Sequence, residues 1–217
     1  CLMEKGEKTL DSLRNIKKIG LNAQEIEFVR SIYMSNEQAK EVGELAKSLD
    51  ITLSVHSSYY INLLSEDPEK LKASKQRILD SCERGHFFGT KQNPSHIVFH
   101  PGYYGKLSKE EAFSGVCQAI DEMHEIIKSK KWNVVLCPET GGRLSSFARH
   151  EEIVDLAKKT KSHLCVDIAH IYACNNGKID FDEVLDKLKP IKQRPLHFHF
   201  SGVAYSEKGE RYHMNLS

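Results

Sequence analysis

Four short apolar runs in this chain each end on a side chain able to bind a metal. They are Ser54-Val55-His56, Val98-Phe99-His100, Leu136-Cys137-Pro138-Glu139 and Cys165-Val166-Asp167, the last followed at once by Ile168-Ala169-His170. A fifth run, Leu196-His197-Phe198-His199-Phe200, repeats the pattern. Imidazole mixed with carboxylate suits zinc, manganese or iron better than calcium, which prefers oxygen alone. One histidine at a strand end is most often a hydrogen-bonded structural residue. Four candidate ligands on successive runs make a shared metal site the better expectation. His197 and His199 have the same parity on one strand and so share a face. His199 lies nearer the following loop and is the better ligand candidate, with His197 a supporting or core residue.

Such ends must converge if they are to share an ion, and the rest of the chain says how. Strands are expected at residues 23–29, 51–56, 97–100, 133–139, 164–167 and 195–200. Between them come amphipathic helices at 36–49, about 68–88, 109–130, 145–159 and 181–188, after an opening helix at 9–19. Ser108 and Glu111 form a capping-box signature, and Pro68 sits in a first turn. Regular β-then-α alternation calls for a parallel sheet with crossover helices. An open doubly wound sheet is disfavoured, because no glycine-rich dinucleotide fingerprint follows any strand. Chemistry at nearly every strand end favours the (β/α)8 TIM-type barrel, whose active site lies at the C-terminal ends of its strands. That fold has eight strands and about 250 residues. Six strands are legible here, so a single α/β barrel domain over 1–217 is expected, lacking its first and last strands. An open barrel with two exposed edges is expected to be weakly active or inactive by itself.

Composition narrows the function. The chain is 40% hydrophobic and 28% charged, with a formal net charge of +1, so no broad cationic surface advertises nucleic acid. Bound cations would add positive charge that composition does not count. The six cysteines, at 1, 82, 117, 137, 165 and 174, form no C-x-x-C pair, which suggests a reducing, cytoplasmic setting. No run is apolar enough to span a membrane. The loops after the strands carry Tyr59 and Tyr60, Lys106, Arg143, Lys208 and Arg211, candidates for contacting bases and phosphates. Glu210 and His213 share the last of these loops, which otherwise reads as solvated charge.

With these residues in view the chain resembles the endonuclease IV family of apurinic/apyrimidinic (AP) endonucleases, within the xylose isomerase-like barrels and closest to their archaeal-type branch. The segments that carry the likeness are His56-Ser57-Ser58-Tyr59-Tyr60-Ile61-Asn62-Leu63, Phe99-His100-Pro101-Gly102, Pro138-Glu139-Thr140, Cys165–His170 and His199-Phe200-Ser201-Gly202. The resemblance implies a site of two or three zinc ions. His56, His100 and Glu139 would hold the first, with Glu139 bridging to a second held by Asp167 and His199. His170 would hold the third. Where the family has Asp-x-His, this chain has Glu210-Arg211-Tyr212-His213. Glu210 is then expected to replace the aspartate, with the histidine shifted to His213 or lost to Tyr212. The resemblance further implies a monomer acting on duplex DNA at abasic sites. It would hydrolyse the phosphodiester 5′ to the lesion and leave a 3′-hydroxyl, with Glu139 and Asp167 as catalytic carboxylates. Tyr59 and Tyr60 would lie against the bent duplex. A metal-dependent sugar isomerase or epimerase on the same barrel is the alternative, disfavoured by the many histidines and the double tyrosine.

Overall fold

The structure is a computed structural model that describes residues 8–215; Cys1 lies outside them. The order of elements is α1 (Thr9–Lys18), β1 (Ala23–Glu27), α2 (Asn36–Ser48), β2 (Thr52–His56), α3 (Pro68–Gly85), β3 (Ser95–Phe99), α4 (Lys109–Lys130), β4 (Val134–Pro138), α5 (His150–Thr160), β5 (Cys165–Asp167), α6 (Ile168–Cys174), α7 (Phe181–Leu188), β6 (His197–His199), β7 (Gly202–Ser206) and β8 (Gly209–Met214). Strands β1 to β4 form one parallel sheet in sequence order. A bridge from Glu139 to Cys165 leads into the parallel β5–β6 pair. The six expected strands are therefore present and arranged as expected; five are one to three residues shorter in total than the apolar runs suggested, and β3 begins two residues earlier, at Ser95.

Period-2 side chains split the strands into an outer and an inner face. The outer face carries Leu53, Val55, Ile97, Phe99 and Leu136, all buried against the helices. Helix α4 shows why. Ala112, Val116, Ala119, Ile120, Met123 and Ile127 recur at helical spacing and are all buried. Each large side chain so removed from water contributes roughly 1.5–3 kcal/mol. Ser108 accepts from the Glu111 N–H while the Glu111 carboxylate accepts from the Ser108 N–H, closing the expected capping box. The inner face is different in kind. Register pairs Glu25 with Ser54, Glu27 with His56, Val98 with Cys137, Cys165 with His197 and Asp167 with His199. Strand parity sends these residues inward together with His96, His100 and Glu139, so the barrel is lined largely by polar and sulfur-bearing groups. Cys137 and Cys165 are fully buried there, as their apolar surroundings suggested.

Three features depart from the sequence expectation. The charged segment after the last parallel strand is not a loop but an antiparallel hairpin, β7–β8, with a bulge at Ala204/Tyr205. It is pinned to the loop after β4 by Glu210 N–H to Gly142 O at 2.7 Å and Leu144 N–H to Lys208 O at 3.1 Å. Gly209 makes that approach possible: its φ is +94°, and a Cβ there would overlap the Gly142 carbonyl. Helix α5 starts at His150, five residues later than expected. Residues 141–148 are held instead in a turn by Gly141 N–H to Ala148 O and a Tyr103–Ser146 bridge. Helix α6 was not expected at all. It begins directly on the last residue of β5, because the Asp167 side chain accepts from the His170 N–H at 2.9 Å and caps it.

Candidate metal centre

The C-terminal ends of the six parallel strands open on one cavity of about 850 Å³. His56, His100, Glu139, Asp167, His170, His199, Glu210 and His213 all line it, with Tyr59 and Arg143. Three groups of potential ligands form overlapping trios: His56–His100–Glu139, Glu139–Asp167–His199 and Asp167–His170–His213, each with its ligand atoms within 4.8 Å of one another. The two carboxylates Glu139 and Asp167 are each shared by two trios. The donor set therefore fits zinc-type ions placed side by side.

Glu139 is the hub. It is 1% exposed and accepts from His56 Nε2 at 3.0 Å and His199 Nδ1 at 2.8 Å, with His100 Nε2 3.3 Å away. His56 Nδ1 also donates, at 2.9 Å, to the Ser57 carbonyl. His199 Nε2 meets Glu25 Oε1 at 3.0 Å. Both nitrogens of each ring face oxygen acceptors, so metal-free His56 and His199 are imidazolium cations. Burial opposes that charge, but Glu139 outweighs it and lifts His56 to about 9. Burial likewise opposes His199, which Glu139 and Glu25 together raise to about 11. Burial would raise Glu139 itself, yet the His100 interaction and the two hydrogen bonds hold it well below the usual carboxylate range. For His100, burial together with the neighbouring imidazoles outweighs the pull of Glu139 and pushes it down to about 4. Asp167 is pushed up by burial, against the pull of His170.

The third trio is set by the backbone. His170 Nδ1 lies 2.8 Å from the Thr140 carbonyl and must donate to it, leaving the Nε2 lone pair facing the cavity. A backbone carbonyl that fixes the ring in this way is a common support for a metal-binding histidine. His170 Nε2 meets His213 Nε2 at 3.1 Å and Glu210 Oε2 at 3.4 Å. Of the two residues that the spacing offered, His213 lies beside His170, while Tyr212 is exposed. The bulge in the hairpin lets Glu210 and His213, three residues apart, both reach His170. Gly142 is packed against them: a Cβ there would overlap Glu210 Oε2 and sit 2.6 Å from His170 Cδ2. Gly142→Ala is therefore expected to displace both groups and lower bound zinc by about one ion per chain. Elemental analysis showing unchanged zinc would contradict this.

The candidate DNA-contacting residues are placed unequally. Tyr59 stands at the cavity mouth, its ring 5.7 Å from His56, and Arg143 lies on the same rim. Tyr60 is exposed beside it but outside the cavity lining. Lys208 sits at the hairpin turn and Arg211 on the exposed part of β8, both outside the cavity. Lys106 is exposed in the turn before α4. Sequence reasoning missed Glu25, which reaches His199 and His197 from β1, and Tyr103, which lines the cavity. Glu25 lies in an ordinary alternating strand, and only its register opposite Ser54 reveals that it points inward.

This ring of histidines and carboxylates at the mouth of a parallel barrel is matched by a family model described as xylose isomerase-like TIM barrel, over residues 13–216. The chain belongs to the xylose isomerase-like TIM barrel family. Within it, the chain is 34% identical to an uncharacterised protein of Methanocaldococcus jannaschii, over 97% of this chain and 76% of that one. It is 35% identical to the apurinic-apyrimidinic endonuclease of Caenorhabditis elegans over 54% of this chain, but spans only 30% of that enzyme's length. Probable endonuclease 4 proteins, among them that of Mycoplasmopsis pulmonis at 25% identity over 77% of the chain, extend the kinship expected from the motifs. Among solved structures, D-psicose 3-epimerase of Clostridium cellulolyticum H10 superposes with a TM-score of 0.70 at 20% identity, covering 90% of this chain and 68% of that one. That likeness establishes the fold. No helix among the described residues is long and apolar enough to cross a membrane.

Proposed function

We propose that this chain is the metal-binding portion of a zinc-dependent AP endonuclease of base excision repair, which hydrolyses the phosphodiester 5′ to an abasic site and leaves a 3′-hydroxyl. The observation that carries this reading is the pair of shared carboxylates, Glu139 and Asp167, linking three ligand trios in one open cavity. The names of the sequence relatives support it, as they include the worm apurinic-apyrimidinic endonuclease and several endonuclease 4 proteins.

His56, His100 and Glu139 would hold one zinc, Glu139, Asp167 and His199 a second, and Asp167, His170 and His213 with Glu210 a third. Zinc bound there supplies Lewis acidity, activating water near neutral pH and neutralising charge on the phosphate and the departing oxygen. The chain's own groups do the rest. Glu139 and Asp167 accept hydrogen bonds from fixed donors, so their oxygens are oriented before substrate arrives. Arg143 on the rim offers a cation to the phosphate backbone, and Tyr59 an aromatic face to the bent duplex. An abasic nucleotide enters such a cavity cheaply because it has no base to unstack or unpair.

The alternative is a metal-dependent sugar isomerase or epimerase, which the fold-level likeness to D-psicose 3-epimerase keeps in view. The deciding experiment is incision of a duplex with one abasic site, using the natural full-length protein loaded with zinc and a His100→Ala variant. Cleavage 5′ to the site, reduced about 100-fold or more in the variant, is the expected result. A folded, zinc-loaded protein that leaves the duplex intact but epimerises a ketose would overturn the nuclease reading.

A further inference from the structure

Beneath the cavity the inward column of side chains continues, and its chemistry changes from oxygen to sulfur. His96 precedes His100 by four residues on the β3 line, Cys137 precedes Glu139 by two, and His197 precedes His199 by two. At about 3.3 Å of rise per residue, this puts a second layer some 7 Å or more below the first. His96 Nδ1 and His197 Nδ1 are 3.2 Å apart, and Cys137 Sγ lies 4.0 Å from His96 Nδ1. All three ligand atoms lie within 4.8 Å of one another.

We propose that His96, Cys137 and His197 form a separate, buried His2Cys site for a zinc-type cation, below and distinct from the oxygen-rich centre at the barrel mouth. Tetrahedral zinc with Zn–N near 2.05 Å and Zn–S near 2.3 Å sets ligand atoms about 3.3 Å (N to N) and 3.6 Å (N to S) apart. The His96–His197 and His96–Cys137 separations already match these to within a few tenths of an ångström. The ring orientation of His197 is already fixed for this role. Its Nε2 donates to Glu25 Oε2 at 3.2 Å, which leaves the Nδ1 lone pair facing His96 and Cys137. The other oxygen of Glu25 takes the Nε2–H of His199, whose Nδ1 faces Glu139. One carboxylate therefore orients a histidine of each layer, the outer-shell support that metal-binding imidazoles ordinarily have. Beside the trio, the His163 ring lies 4.8 Å from His96 and has a buried Nδ1 with no hydrogen-bond partner. A buried polar cluster left partly unsatisfied is costly unless something completes it. His197, Glu25 and Gln24 also line the floor of the upper cavity, which gives an ion a route in. On binding, the Cys137 thiol proton leaves to solvent and the sulfur ligates as thiolate.

Cobalt(II) distinguishes the two layers, because only thiolate ligation produces an intense near-ultraviolet sulfur-to-metal charge-transfer band. Titrating cobalt into the zinc-stripped full-length protein is expected to develop that band to a plateau whose amplitude corresponds to one thiolate-bound cobalt per chain. Cys137→Ala and His96→Gln should each abolish it and lower total cobalt by one ion, while the weaker visible bands of the oxygen-rich centre persist. Cys165→Ala should leave it intact. Absence of the band from the saturated unaltered protein would overturn the proposal, whatever the fate of the nuclease reading. So would a band that survives Cys137→Ala, since it would assign the sulfur to the neighbouring Cys165–His197–His199 group. If Cys137→Ala fails to fold, X-ray absorption on the unaltered zinc protein decides instead: a sulfur neighbour at about 2.3 Å is required, and its absence refutes the site.

Discussion

Glu139→Gln is expected to reduce kcat on abasic duplex by more than about 10³-fold and to remove about two zinc ions per chain. Substitutions of residues that merely orient a ligand typically cost about 10–100-fold, and Glu139 belongs to two ligand trios at once. Glutamine keeps the shape, so the fold should survive, but it supplies an NH2 where both oxygens now accept. His56 Nε2 and His199 Nδ1 donate to those oxygens at 3.0 and 2.8 Å, and one of the two would instead confront a second donor. The negative charge that neutralises neighbouring cations is lost as well, from a side chain that is 1% exposed and poorly screened. Elemental analysis and single-turnover incision on the same preparation test both halves. A variant within tenfold of the parent kcat would show that the first two trios do not share a bridging carboxylate.

Much of this site could be read from sequence because each of its main residues ends an apolar run. His56, His100, Glu139, Asp167 and His199 all stand at, or one residue beyond, the C-terminal end of a parallel strand. What escaped has physical reasons too. Helix α6 is seven residues long and buries Ile168, Ala169, His170, Ile171 and Ala173 on nearly every side, so it shows no amphipathic period. The β7–β8 hairpin alternates no apolar residues with polar ones in Ser206-Glu207-Lys208-Gly209-Glu210-Arg211, and its stability comes from docking on the Gly142 loop. The inward lower layer was hidden because His96 opens a strand instead of closing one, and Glu25 lies in a strand that looks half solvated. No ladder joins β6 to β1 among the described residues; Glu25 spans them through His197 and His199, a contact that only the three-dimensional curve of the sheet creates.

Chelation is expected to abolish activity and, less obviously, to change how stability responds to pH. In the metal-free protein His56 titrates at about 9 and His199 at about 11, against about 6.5 for histidine in an unfolded chain. Between pH 6.5 and 9 the native state therefore binds more protons than the unfolded state, and unfolding free energy must fall as pH rises. The stabilisation is complete below pH 6.5 and is lost progressively as pH rises through 9 and then 11, amounting to on the order of several kcal/mol. His100, pushed down to about 4, acts oppositely and only on the acid side, so it leaves this window unaffected. Zinc removes the effect at its source. Ligation requires His56 and His199 to give up the protons they now share with Glu139, after which native and unfolded states bind equal numbers of histidine protons above pH 6.5. Melting temperatures recorded from pH 6.5 to 9 should fall steadily in chelator and stay nearly level in saturating zinc. A metal-free melting temperature that holds level or climbs over this range would show that Glu139 does not carry two imidazolium partners, and with it would go the electrostatic argument that this buried carboxylate is poised for cations.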